Sequence, residues 1–167
     1  NDSIRCINDY FENSLDILKK QNYDFITSTG VLHETETPEL FLKNIGKLSN
    51  MKTIIYLNVP NAKSLHRLIA QEAGIIKNIY EKTDRNKLLS QNNIFCKDTL
   101  KELITKTLPE FKIKECKSFF IKPFTHNQMM ECVDQKIVNE KVIDGLYEAT
   151  KYLPELGCEL YCIISKL

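Results

Sequence analysis

Short apolar runs alternate along the chain with segments whose apolar residues recur at helical spacing. The runs predict five strands, Ser3–Asn8, Tyr23–Ser28, Thr53–Val59, Phe111–Ile121 and Glu159–Ser165. Thr53–Val59 is almost continuously apolar, as is typical of a strand that is covered on both faces. Strands that alternate with helices predict an α/β layer with a parallel sheet. The last two strands flank a helical segment, and we expect this end of the sheet to be antiparallel.

Helix start and stop signals lie between the predicted strands. Thr37 followed by Pro38 predicts a helix start, because Thr caps free N–H groups and Pro is preorganised for the first helical turn. Asp98 is expected to cap a later helix that Pro109 ends. A helical segment is expected from Gln128 to about Tyr152.

The composition describes one globular domain with balanced charge. The 167 residues are 43% hydrophobic and 27% charged, and 23 Lys and Arg residues face 22 Asp and Glu residues. This balance leaves no cationic surplus for phosphates, so nucleic acid is not an expected partner. No apolar run approaches the roughly 18–20 residues that span a membrane, so a membrane is not expected either. We expect a single domain over residues 1–167, with segments 61–94 and 122–152 as helical insertions or a lid.

The spacing of glycine and cysteine excludes several kinds of site. The five glycines are too far apart for a Gly-x-Gly-x-x-Gly turn or a phosphate loop. The six cysteines contain no Cys-x-x-Cys pair, so no metal site is expected. No secretory signal is visible, and we therefore expect reduced thiols and a cytoplasmic location. Residue 1 is Asn rather than Met, which predicts a processed chain or the remainder of a longer one.

Two segments carry a recognisable pattern. Residues 23–42 read Tyr-Asp-Phe-Ile-Thr-Ser-Thr-Gly-Val-Leu-His-Glu-Thr-Glu-Thr-Pro-Glu-Leu-Phe-Leu, and residues 58–67 read Asn-Val-Pro-Asn-Ala-Lys-Ser-Leu-His-Arg. They resemble the fourth strand with its helix, and the segment after the fifth strand, of class I S-adenosylmethionine-dependent methyltransferases. The resemblance implies a Rossmann-like α/β sheet that is incomplete at its N-terminal half, because the family's first strand and glycine-rich turn are absent. The order His33-Glu34 also departs from the family's frequent Glu-His.

The resemblance implies methyl transfer to a hydroxyl group of a small metabolite or sugar, by in-line displacement with a histidine general base. His66 is the first candidate for this base because it follows the second parallel strand, at the sheet edge where ligands bind. His33 is the second candidate. The expected substrate contacts are Glu34, Asn61, Arg67 and His126, and Arg67 would clamp an anionic group. Structural alternatives stay open: His66 on a helix surface, His33 bonded to backbone, and Arg67 paired with a carboxylate.

The cofactor implied by the resemblance is S-adenosylmethionine. Asp9 would accept a hydrogen bond from the adenine amino group, and Tyr10 or Phe11 would pack on the ring. Thr29 and Gly30 would approach mainly through backbone, and Val31 is a further expected cofactor contact. Asp before a helix is also a common N-cap, and Gly30 also suits an ordinary turn, so both alternatives stay open. Because the glycine-rich turn is missing, we expect the 167-residue chain alone to bind S-adenosylmethionine weakly or not at all.

Two other functions stay open: a non-catalytic Rossmann-like binding or interaction module, and an unrelated α/β enzyme with a carboxylate–histidine site. The resembled fold predicts the strand order Tyr23–Ser28, Thr53–Val59, Glu159–Ser165, Phe111–Ile121, with Glu159–Ser165 antiparallel to its neighbours. Ser3–Asn8 would be detached or would pair with Tyr23–Ser28. The unpaired edge of Tyr23–Ser28 would then be available for forming a homo-oligomer.

Overall fold

Four strands form one sheet in the computed structural model, which describes residues 4–167 except for the side chain of Arg85. The strands are β1 (Phe25–Thr29), β2 (Ile54–Pro60), β3 (Phe111–Ile121) and β4 (Gly157–Lys166), in the spatial order β1-β2-β4-β3. β1 and β2 are parallel, whereas β4 runs antiparallel to both β2 and β3. The predicted fold class, strand order and antiparallel final strand are therefore confirmed.

Seven helices of the described residues connect the strands and pack around the sheet. They are α1 (Phe11–Leu18), α2 (Pro38–Leu48), α3 (Leu65–Glu72), α4 (Asp84–Leu88), α5 (Lys97–Thr107), α6 (His126–Asp134) and α7 (Glu140–Glu148), followed by a 3₁₀ turn at Ala149–Lys151. Pro38 begins α2 as predicted, and α5 ends before Pro109. Within residues 4–167, no helix is long and apolar enough to cross a membrane.

The core lies between the sheet and the helices α2 and α5. Alternate residues of the inner strands, such as Leu57 and Leu160, point into it and are fully buried. Leu42 of α2 and Leu100 of α5 meet them from the helical layer. The other face of the sheet is only half-covered, by α7 near β3.

Two predictions near helix starts are wrong. Ile4–Asn8 is exposed chain without strand pairing, because no neighbouring strand offers hydrogen bonds; Ser3 of that predicted strand lies outside the described residues. Cys96, rather than Asp98, is the N-cap of α5. Asp98 lies inside the first turn and pairs with Lys63 at 2.9 Å.

The segment 128–152 is largely helical, as predicted, and it divides into α6 and α7 where the chain turns at Lys136 with a φ of 59°. The prediction of reduced thiols is wrong, because it depends on the long-range geometry of the sheet. The cysteines are not all reduced: Cys116 and Cys162 lie opposite each other on β3 and β4, 4.2 Å apart between Cα atoms, and form a disulfide. Cys96 and Cys158 are free and buried, as expected for small core residues.

Candidate functional site

Two cavities open at one edge of the sheet. β1, β2 and β3 end at this edge and β4 begins there, because only β4 runs in the opposite direction. The acidic cavity, of about 660 Å³, lies beyond β1 and is lined by Glu12, Glu34 and Glu36. The basic cavity, of about 430 Å³, lies beyond β2 and β3 and is lined by Arg67, Lys122 and His126. A space of about 30 Å³, lined by His33 and Asn61, adjoins the basic cavity.

The acidic cavity combines carboxylates with apolar side chains. Tyr10 is 80% exposed there, and Val31 and Leu40 are exposed beside it. Phe11 forms part of the floor and packs on Phe41 with ring centroids 5.1 Å apart. No Lys, Arg or His is among the described residues that line this cavity. It therefore suits a ligand with an aromatic or apolar part and a positive charge.

The predicted cofactor residues divide into two groups. Tyr10 and Val31 line the acidic cavity. Asp9, by contrast, accepts hydrogen bonds from the Tyr10 N–H at 2.7 Å and the Asn13 amide at 2.8 Å, which is a local role at the start of α1. Thr29 and Gly30 line none of the cavities described above; the Gly30 N–H donates to the Asn58 carbonyl at 3.1 Å, and its φ of 68° is a conformation that favours glycine. The cofactor roles of all five residues remain predictions.

His66, the first candidate base, lines the basic cavity and is half-buried. Burial, together with the positive charges of Lys122 and Arg67, lowers the pKa of its imidazole to about 4. Its Nδ1 atom is buried without a hydrogen-bond partner in the described part of the chain. His66 is therefore neutral at physiological pH and can accept a proton.

Arg67 and Asn61 also line the basic cavity, but the fold uses their polar atoms. Arg67 donates from Nε to the Ile79 carbonyl at 3.0 Å and from Nη2 to the Glu81 carbonyl at 2.7 Å. The buried Asn61 amide donates to the carbonyls of Glu155 and Gly157 at 2.9 and 2.7 Å. Both residues hold the cavity walls in place, and a contact of either with substrate remains a prediction.

The remaining predicted residues lie at the boundaries of the two cavities. His33 is 5% exposed, and its Nε2 lies 3.8 Å from an oxygen of Glu34, which faces the acidic cavity. Burial lowers the pKa of His33, and the Glu34 charge opposes this effect in part. His126 begins α6 and is exposed in the wall of the basic cavity. The structure thus brings four predicted residues together in one cavity: Asn61, His66, Arg67 and His126.

Sequence reasoning missed two charged residues of the basic cavity. Lys122 directly follows β3, and Glu159 lies near the start of β4. Burial raises the pKa of Glu159, and its carboxylate accepts a hydrogen bond from the Asn58 amide at 3.3 Å. Both residues lie at strand ends, at the edge of the sheet where the two cavities open. The predicted antiparallel pairing of the last two strands already indicates that these two strand ends lie at the same edge.

Comparison with known proteins identifies the fold. No family model matches the sequence, and no curated protein matches it. A SAM-dependent methyltransferase from Anabaena variabilis superposes with a TM-score of 0.52 at 13% identity, over 93% of this chain and 54% of that chain. A cyclopropane-fatty-acyl-phospholipid synthase-like protein from Lactobacillus casei gives 0.50 at 11% identity, over 96% of this chain and 61% of that chain. The chain has the α/β fold of class I SAM-dependent methyltransferases and spans 54 to 61% of the length of these two proteins.

Proposed function

We propose that this chain takes part in methyl transfer from S-adenosylmethionine to a hydroxyl group of a small metabolite, with sugars as the expected acceptors. One observation carries the proposal: two cavities of opposite charge lie side by side at the ligand edge of a methyltransferase-type sheet. The likeness of the fold to that of the SAM-dependent methyltransferase from Anabaena variabilis supports it. The alternative of a non-catalytic module has no specific observation in its favour.

The acidic cavity fits S-adenosylmethionine, which when bound supplies a methyl group on a positively charged sulfur. Glu12, Glu34 and Glu36 complement that charge, and the aromatic side chain of Tyr10 suits the adenine ring. The volume of about 660 Å³ lies in the range of roughly 300–1,000 Å³ that is typical of cofactor pockets. We therefore assign the cofactor to this cavity.

The basic cavity would hold the acceptor and remove its proton. His66 accepts the proton of the acceptor hydroxyl as the hydroxyl oxygen bonds to the methyl carbon. The carbon–sulfur bond breaks at the same time, and its electron pair stays on sulfur. His66 is available for this step because its pKa of about 4 keeps it unprotonated at neutral pH. His33, which is buried next to Glu34, is the second candidate for the base.

The helical insertions and the sheet edge extend the proposal. Segments 61–94 and 122–152 both contribute walls to the basic cavity, which supports their assignment as a lid.

Among residues 4–167, β1 pairs only with β2, so its other edge is open, and Phe25 on it is 57% exposed. A second copy of the chain could pair at this edge. The cytoplasmic location stays a prediction.

Acceptor-dependent formation of S-adenosylhomocysteine tests the proposed function. The full-length natural protein that carries this sequence is incubated with S-adenosylmethionine and a panel of sugars and small hydroxylated metabolites, and products are measured by mass spectrometry. We expect S-adenosylhomocysteine and one methylated acceptor in equal amounts. If no member of the panel is methylated and S-adenosylmethionine does not bind, the proposed function is wrong.

A further inference from the structure

The basic cavity contains an ammonium group, that of Lys122, to which the described residues form no hydrogen bond. Lys122 is half-buried, and its Nζ makes no hydrogen bond and no ion pair within 4 Å with any residue that the structure describes. The guanidinium of Arg67 is instead bound to two backbone carbonyls. The charge of Glu159 in the same cavity attracts Lys122, but no described carboxylate oxygen lies within 4 Å of its Nζ, so the ammonium hydrogens remain available to an anionic ligand.

We propose that the acceptor carries a carboxylate or phosphate group and that Lys122 binds this group. The ligand's role as methyl acceptor rests on the proposed function, whereas the anion site itself does not. Arg67 is the residue that the sequence predicts to bind an anionic group. This proposal assigns that role to Lys122 instead, because its Nζ donates no hydrogen bond to the described residues.

The surroundings of Lys122 restrict the acceptor further. Glu159 lines the same cavity, so a second acidic group on the ligand would be repelled there. The Glu159 carboxylate receives only the long bond from Asn58 and keeps an oxygen free to accept a hydrogen bond from a second donor group of the acceptor, because the reacting hydroxyl gives its one proton to His66. Ile75, Ile76 and Leu89 form an apolar wall. The cavity therefore fits a molecule with a single anionic end, a hydroxyl group and an apolar body or ring.

A bound anion would also change the basicity of His66. The charged groups that lower the pKa of His66, besides burial, are Lys122 and Arg67. His126, Cys158 and Glu159 face the same cavity, and the pKa of Cys158, raised to about 11 by burial, keeps that thiol neutral. Neutralising Lys122 would raise the pKa of His66 from about 4 towards its ordinary value. An anionic acceptor would thus strengthen the base that receives its proton.

Ligands of equal shape and different charge test the proposal. Benzoate, phenyl phosphate and benzamide share a ring, and ¹H–¹⁵N NMR titration of the 167-residue protein measures the affinity of each. We expect at least one of the two anions to bind at least about tenfold more tightly than benzamide, with shifts at Lys122 and His66. The stronger of the two anions identifies the acidic group. Binding should also raise the pKa of His66 in an NMR pH titration.

Three lysine variants test whether Lys122 is the residue that causes the preference for anions. Lys122→Met should abolish the preference for anions, whereas Lys122→Arg should keep it and also shows that the position tolerates substitution. Lys114→Met removes an exposed lysine from the same strand and should leave the preference unchanged. Equal binding of benzamide and both anions, or an unchanged preference in Lys122→Met, overturns the proposal. Anion binding without methyl transfer in the full-length natural protein would overturn the proposed function and leave the anion site standing.

Discussion

The acidic and basic cavities open at the same edge of the sheet, but their charged side chains differ in exposure and in the elements that carry them. The carboxylates of the acidic cavity, on Glu12, Glu34 and Glu36, are exposed side chains of α1 and the loop after β1. The charged groups of the basic cavity are largely half-buried: Lys122 and Glu159 lie at the ends of β3 and β4, and Arg67 lies on α3. Charges interact more strongly where water is excluded. The half-buried charges of the basic cavity therefore act strongly on proton transfer. The exposed carboxylates of the acidic cavity attract a positively charged ligand more weakly.

Replacing His66 should have the largest effect on the proposed reaction. If His66 is the base, His66→Ala in the full-length natural protein should lower kcat by about 10²–10⁴-fold. The affinity for S-adenosylmethionine, measured by calorimetry, should not change, because His66 is not among the residues lining the acidic cavity. An unchanged kcat in a folded variant would return His66 to a structural role and leave His33 as the candidate.

The buried histidine also predicts acid sensitivity of the fold. His66 has a pKa of about 4 in the folded chain and an ordinary value of 6.5 when unfolded. Between these values the unfolded state binds more protons, so stability falls as pH decreases from 6.5 to 4, by roughly 3 kcal/mol in total. Urea denaturation at pH 7 and pH 4.5 measures the loss. His66→Gln should remove most of it and leave the smaller part due to His33, whose pKa is also lowered. An equal loss in wild type and variant would contradict the assignment.

Gly157, the first residue of β4, tests how tightly the strand beside the basic cavity is packed. A Cβ atom at Gly157 would clash with the Phe119 backbone nitrogen, so Gly157→Ala must displace the backbone of β3 or β4 next to Cys158 and Glu159, which line the basic cavity. We expect a loss of about 1–3 kcal/mol in thermal or urea unfolding. Gly145→Ala is the control, because its Cβ would meet nothing within 4 Å in α7, and it should stabilise by about 0.5–1 kcal/mol. A Gly157→Ala variant as stable as wild type would show that β4 can shift freely there.

The exposed carboxylates of the acidic cavity should give the smallest effect. Glu34→Gln with Glu36→Gln should weaken S-adenosylmethionine binding to the full-length natural protein by about two- to fivefold, because exposed charge pairs contribute roughly 0.2–1 kcal/mol. The neutral S-adenosylhomocysteine should lose less affinity, and added salt should reduce the difference. Glu102→Gln on α5 lies outside both cavities and serves as the control. Equal losses for both ligands would remove the argument from charge.

The sheet and part of the site were predictable, because local pattern and long-range arrangement agreed there. Phe111–Ile121 is a strand with the predicted bounds, and the residues after β2 do meet in one cavity. Lys122 was not predicted because its place in the site depends on how β3 pairs with β4. The Cys116–Cys162 disulfide escaped for the same reason, since the register that aligns them cannot be read from a sequence separation of 46. Interactions that depend on the register between distant strands could not be predicted from the sequence.

The strand that is synthesised last among the four occupies an inner place in the sheet. β4 bonds to β2 on one side and to β3 on the other, so these two strands remain unconnected until β4 leaves the ribosome. At about 5–20 residues per second, the nascent chain spends seconds with two open strand edges and without Leu160 and Ile164 in its core. Folding of the sheet must therefore follow translation of β4. Because Glu159 belongs to that strand, the basic cavity forms only after β4 has been translated, and until then the growing chain exposes edges that chaperones can protect.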